Sequence, residues 1–287
     1  MAKTRELRRR IRSVEKTRQI TKTMEMVATS RLKRTQDRVV AARPYAEVLA
    51  DLIGSLYDPE LEERFPILRH PKGPPQKTAL LLITSNRGLC GSFNANLIRE
   101  ARDRLERLES RGGEVELHGV GRKGIGYFKY AGRTFTTARQ DIGDRPTPEH
   151  AAELTEPLVE RFQNGDLDAV EVIFAQFNNP LSTPPTLLTL LPIARPERKA
   201  SINYLMKPSP EELLQQLLPL YVQNGMYRAL VETAASENGA RRTAMKNATE
   251  SAGDMIDTLR RIYNRARQGQ ITQELAEIVG GAEALKG

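Results

Sequence analysis

The stretch Ser13–Arg34, SVEKTRQITKTMEMVATSRLKR, decides how the chain folds. It is built of helix-compatible residues with no Gly or Pro, yet its apolar positions (Val14, Ile20, Met24, Met26, Val27, Leu32) are too few to cover a core. A helix polar on most faces needs outside support, because little of its surface gains by leaving water. Working outward, helical character extends from about Thr4 to Tyr57 and stops at Asp58-Pro59. Pro44 predicts a kink rather than a stop, since apolar spacing resumes at Tyr45, Val48, Leu49, Leu52, Ile53 and Leu56.

The support is found at the other end of the chain. After Pro208 a helical pattern runs to about Leu285, with Ser209 as cap and Pro210 in the first turn. Between Met245 and Ala266 the positions Met245, Ala248, Ala252, Met255, Leu259, Ile262 and Ala266 alternate by three and four, a heptad seam of small or flexible residues. Leu7, Ile11, Val14, Ile20, Met24 and Val27 offer a matching seam on the first helix. Both helices flank one intervening region, so they are expected to pair antiparallel, each thin stripe covering the other.

That region changes character. After a Pro/Gly-rich linker, HPKGPPQK, short apolar runs alternate with amphipathic stretches. TALLLITS, VELHGV, RTFTTAR, AVEVIFAQF and PTLLTLLP read as strands; Asn94–Ser110, Lys123–Tyr130 and Pro148–Gln163 read as helices. Strands alternating with helices predict an α/β layer structure with a mainly parallel sheet. The expected division is a coiled coil from 1–57 and 209–287, a linker at 58–77 and an α/β domain at 78–208.

Composition narrows function. The 287 residues are 39% apolar and carry a net charge of +8, but residues 1–40 hold thirteen Lys/Arg against four acids, so that segment is +9 and the rest is −1. An acidic partner or a solvated basic face follows from that asymmetry. No run of about 18 uncharged apolar residues and no apolar segment behind MAKTRELRRRIR occurs, so membrane insertion and a signal peptide are not expected. One cysteine, Cys90, and three scattered histidines (His70, His118, His150) give no disulfide and no zinc-ligand spacing.

Two motifs invite chemistry. GVGRKG places Gly119, Gly121 and Gly124 in the dinucleotide spacing after a strand, with Asp141 where a ribose-binding acid is sought. It follows a later strand, and the helix behind it is short, which favours tight turns. TSNRGLCGSFN lacks the Lys-Ser/Thr pair of a phosphate loop, and no His partner marks Cys90 as a nucleophile. A basic coiled-coil nucleic-acid binder is a third reading, weakened by a seam without repeated Leu and a basic segment without aromatics.

Four stretches together resemble one family, the gamma subunit of F-type ATP synthases: IRSVEKTRQITKTMEMVATSRLKR, TSNRGLCGSFN, ASENGARRTAMKNATESAGDMI and YNRARQGQITQELAEIVGGAEA. The last holds Ile271, Thr272, Glu274, Glu277, Gly281, Ala282 and Ala284 in the spacing of that family's C-terminal signature. The resemblance implies an antiparallel coiled coil of the terminal helices with a central Rossmann-like α/β domain at the base of the stalk. It implies a non-catalytic rotor without cofactor or metal, coupling proton flow to ATP synthesis at the hexamer of α and β subunits. Arg8, Arg9, Met24, Arg31, Lys33, Arg267, Gln268, Thr272, Glu274 and Glu277 would then contact the hexamer. Tyr204 and Lys207 would form a foot toward the c-subunit ring and the epsilon subunit, with Lys207 where many relatives carry an acid. The implied location is peripheral, on the cytoplasmic face of the cell membrane, with no nucleic-acid partner. The paired cysteines of the light-regulated chloroplast form are missing, so that redox switch is not expected. Helix lengths further predict a single-helix overhang from about Arg265 to the C-terminal end.

Overall fold

The structure, a computed structural model, describes residues 2–56, 64–71, 73–194 and 210–284. Helix α1 spans Ala2–Leu56 and runs through Pro44; helix α5 spans Pro210–Ala284 and runs through Pro219. Between them lie β1 (Lys77–Ile83), α2 (Phe93–Glu109), β2 (Glu114–Val120), α3 (Arg122–Tyr130), β3 (Thr137–Arg139), α4 (Pro148–Gln163), β4 (Ala169–Ala175) and β5 (Pro185–Leu191). The chain divides into two compact units, Ala28–Arg241 and Met1–Val27 with Arg242–Gly287.

In the unit Ala28–Arg241 the sheet order is β3-β2-β1-β4-β5, parallel except for the antiparallel edge strand β5. This is the Rossmann-like arrangement, and its central strands β1 and β4 are buried on both faces, as inner strands of a helix-covered sheet are. Alternation sorts the side chains. Leu80 and Leu82 face Phe93, Leu97, Ala101 and Leu105 of α2, together with Phe128 of α3. Ala79, Leu81 and Ile83 face the opposite core, built from Leu154, Leu158 and Phe162 of α4, Leu49, Ile53 and Leu56 of α1, and Leu214, Leu218, Val222 and Met226 of α5. A third cluster joins Leu32 and Val39 of α1 to Val231 and Ala235 of α5 and to Phe177.

Local chemistry sets the ends of these elements. Thr147 caps α4 through a capping box with His150, and Pro148 sits in the first turn, where its missing N–H costs nothing. The strand expected over RTFTTAR shrinks to Thr137–Arg139, because only these residues face the end of β2 at His118–Val120. The preceding Phe135 packs against the α2–α3 face instead.

In the unit of Met1–Val27 and Arg242–Gly287, the two helix segments pair antiparallel. Thr4 donates to Gln270 at 3.1 Å, Arg8 to the Tyr263 hydroxyl at 2.7 Å, Arg260 to Glu15 at 2.8 Å, and Thr249 to Thr21 at 2.8 Å. The seam departs from the expected one by a single residue. Ile256 is 3% exposed whereas Met255 is 54% exposed; Tyr263 is half-buried beside Arg8 whereas Ile262 is exposed. On α1, Ile20 and Val27 face outward while Thr21 and Met24 are half-buried. On α1 the seam therefore takes Thr21, which accepts from Thr249 of α5, in preference to the larger Ile20. A paired hydroxyl loses little by leaving water.

Candidate functional site

The α/β unit carries the two motifs that invited an enzymatic reading. In an open α/β sheet, ligands bind at the C-terminal strand ends, against glycine turns and helix N-termini. Here the N-terminus of α3 and the end of β4 are already filled. The first-turn N–H groups of α3 are spoken for: Arg122 donates to Asn86 Oδ1 at 2.9 Å, Lys123 to the Ser85 carbonyl at 3.1 Å, and Gly124 to Thr84 Oγ1 at 2.9 Å. A Cβ at Gly121, whose φ is +95°, would lie 2.0 Å from the Thr84 carbonyl oxygen. At Gly119 a Cβ would strike Phe135 and Ile125, and at Gly124 it would strike Thr84. These glycines bring strand and helix together and leave no cradle for a pyrophosphate.

Asp141 is equally committed. Arg139 grips its carboxylate with two hydrogen bonds of 2.8 and 2.6 Å, which hold its pKa down at about 2. Cys90 is buried, and burial pushes its thiol up, away from the thiolate that a nucleophile needs. Its sulfur instead accepts from Asn94 Nδ2 at 3.1 Å, and Ser85 donates to the Arg87 carbonyl at 2.6 Å, so TSNRGLCGSFN is a self-bonded turn. Among the described residues no group of His, Cys, Asp and Glu could hold a metal ion.

The end of β4 is occupied by α5 itself. The Ala175 N–H donates to Thr233 Oγ1 at 3.3 Å, the Ser236 hydroxyl donates to the Ala175 carbonyl at 3.1 Å, and the Phe177 N–H donates to Glu232 Oε2 at 3.0 Å. Glu232 is 1% exposed and takes its second oxygen's partner from Arg228 at 2.8 Å. Next along the helix, Glu237 pairs with Arg241 at 2.6 Å, and Arg241 also reaches the Gly88 carbonyl. Burial nevertheless raises the Glu237 pKa against that pairing. Three side chains of a helix thus continue the hydrogen bonding of a strand end. Sequence reading missed this grip, although a charged residue among small ones in VETAASENG is its trace.

The expected contact residues fall into distinct places. Arg8 is tied to Tyr263, with its guanidinium 5.6 Å from the ring centroid, and Arg9 is exposed. Met24 is half-buried at the seam. In the other unit, Arg31 is ion-paired with Asp144, and Lys33 with Asp37 at 3.1 Å. Arg267, Gln268, Thr272, Glu274 and Glu277 are brought together on one exposed stretch of helix, where Gln270 and Gln273 donate to Glu274 and Glu277. Among the described residues the cross-helix hydrogen bonding reaches Gln270 rather than stopping near Arg265, since the Thr4 contact fixes an offset that a count of lengths ignores. Residues 271–282 beyond it are all exposed, including Ile271, Leu275, Ile278 and Val279. Tyr204 and Lys207 lie outside the described residues, as does the cap Ser209.

A Rossmann-like unit whose glycine turns close on themselves and whose β4 end is held by α5, in one chain with a long antiparallel helix pair, defines a helix-pair subunit. Comparison makes this specific. A family model described as ATP synthase matches residues 3–285. Proteins named ATP synthase gamma chain are 54% identical in Gemmatimonas aurantiaca and 45% identical in Moorella thermoacetica, covering all of both chains in each case. The chain belongs to the ATP synthase gamma chain family. Among solved structures it is similar to a central stalk and c-ring chain of the Tetrahymena thermophila mitochondrial ATP synthase, with TM-score 0.60 and 28% identity over 80% of this chain and 99% of that one. A chain of the Euglena gracilis mitochondrial ATP synthase shares the fold, with TM-score 0.70 and 20% identity over 99% of this chain and 95% of that one.

Proposed function

We propose that this chain is the non-catalytic central-stalk rotor subunit of an F-type ATP synthase, coupling transmembrane proton flow to ATP synthesis at the α/β hexamer. The observation that carries the reading is the character of the helix pair: a thin, partly polar seam inside and a charged surface outside, with residues 271–282 exposed beyond the Thr4–Gln270 bond. A rotor that turns past successive partners cannot bury a large apolar face against one of them, because that contact would hold a single orientation. Exposed ion pairs are worth about 0–1 kcal/mol each, so a basic surface makes contacts that break and re-form. Rotation then biases each β subunit in turn among states of different nucleotide affinity, a coupling through differential binding.

In this reading Arg8, Arg9, Met24, Arg31 and Lys33 meet the β-subunit levers. Arg267, Gln268, Thr272, Glu274 and Glu277 meet the loops around the helix end, and Ile271, Leu275 and Ile278 ride in an apolar sleeve. Tyr204 and Lys207 face the c ring and the epsilon subunit, and the chain sits peripherally on the cytoplasmic side of the membrane. None of the described helices is long and apolar enough to cross it. The test is co-purification of the tagged chain from its membranes. Stoichiometric α and β subunits are expected, and their absence would refute the reading.

A further inference from the structure

Five arginines of the unit Ala28–Arg241 line one open cleft of about 520 Å³: Arg31, Arg34 and Arg38 from α1, Arg87 from the loop after β1, and Arg145 from the segment before α4. Its remaining polar lining is Thr35, Asp141 and Asp144. Both carboxylates are already engaged, Asp141 by Arg139 and Asp144 by Arg31. Thr35 spends its hydroxyl on the carbonyls of its own helix. Among the described residues Arg34, Arg38, Arg87 and Arg145 have no ion pair, although Arg87 feels the field of Glu237, itself held by Arg241. Like charges four apart on a helix, as at Arg34 and Arg38, destabilise it unless something neutralises them.

We propose that this cleft binds a phosphate chain. Guanidinium forks match phosphate oxygens in pairs, and an array of them on three separate chain segments suits a ligand with several adjacent phosphates rather than a single ion. The lining contains no aromatic side chain and no apolar slot, so nothing there stacks on a base. The recognised element is the phosphate chain itself, whether free or carried by a nucleotide.

The test is calorimetric titration of the full chain at low salt, about 50 mM, without divalent metal. Tripolyphosphate is expected to bind once per chain, ATP to bind with similar affinity, and adenosine to give no heat. Each of Arg34→Ala, Arg87→Ala and Arg145→Ala, at exposed and unpaired positions, should weaken tripolyphosphate about fivefold. Arg107→Ala, an exposed arginine of α2 away from the cleft, should leave binding unchanged. On the unaltered protein, tripolyphosphate should protect Arg34, Arg38, Arg87 and Arg145 from phenylglyoxal and leave Arg107 reactive. Absence of saturable binding would overturn the proposal. So would ATP binding more than about tenfold tighter than tripolyphosphate, which would mean a base site, or equal binding of a glutamate hexamer, which would assign the cleft to a protein partner.

Discussion

Replacing Glu232 tests the grip of α5 on the sheet. Glu232→Ala removes the carboxylate acceptor at the buried Phe177 N–H, at a cost of about 1–3 kcal/mol. It also frees Arg228, whose side chain is 43% exposed and can rehydrate, adding up to about 1 kcal/mol. In a unit of this size 1 kcal/mol moves the melting temperature by about 2–4 °C. The alanine variant should therefore melt about 2–16 °C below the unaltered chain. Glu232→Gln keeps an amide oxygen for Phe177 and loses only the charge, so its loss should stay within about 4 °C. Thermal unfolding followed by circular dichroism measures both. An alanine variant within 1 °C of the unaltered protein would refute the reasoning, as would a glutamine variant that loses as much as alanine, since the acceptor would then not matter.

Truncation after Gln270 removes residues 271–287, of which 271–282 are exposed and 271–284 form about 21 Å of helix; the melting temperature of the isolated chain should hold within about 2 °C while affinity for α and β subunits falls, and a large drop in melting temperature would mean that this stretch packs on its own chain. Arg9→Ala should change stability by less than about 0.5 kcal/mol, and Arg8→Ala, which loses the Tyr263 hydroxyl and ring, by about 0.5–1 kcal/mol, both read from urea midpoints. Burial holds the His118 pKa below its ordinary 6.5. The unfolded chain then takes up a proton near pH 6.5 that the folded chain refuses, so stability is lost as pH falls below about 6.5. His118→Gln should flatten the stability–pH profile between pH 5 and 7, and an unchanged slope would remove His118 as the cause.

The strands and helices of the α/β unit were legible because period and punctuation agree there: Pro148–Gln163 is bounded as read, β1 is a continuous apolar run from Ala79 to Ile83, and β4 is apolar but for Glu171. The helix pair was legible from its heptads, but its rotation was not. Met255 and Ile256 are adjacent and both apolar, as are Ile262 and Tyr263, so a 3,4 pattern fits either choice. Cross-helix pairs decide between them, and Thr21–Thr249 and Arg8–Tyr263 are separated by more than 200 residues in sequence. The same distance hid the arginine cleft. Arg34 and Arg38 read as part of a solvated basic face and Arg87 as part of a glycine turn, until the fold sets them beside Arg145. The closed turn at α3 was foreshadowed only in part, since the glycine spacing of GVGRKG looks the same whether Thr84 or a pyrophosphate lies against it.

A rotor subunit can be watched turning. The chain is assembled with α and β subunits, the hexamer is fixed to a surface, and a bead is attached through Cys substituted for exposed Tyr130, with buried Cys90 left unlabelled. On addition of ATP the account predicts sustained rotation in one direction, at a rate proportional to hydrolysis. Hydrolysis by the same complexes with a stationary bead, or random back-and-forth motion independent of ATP, would contradict it.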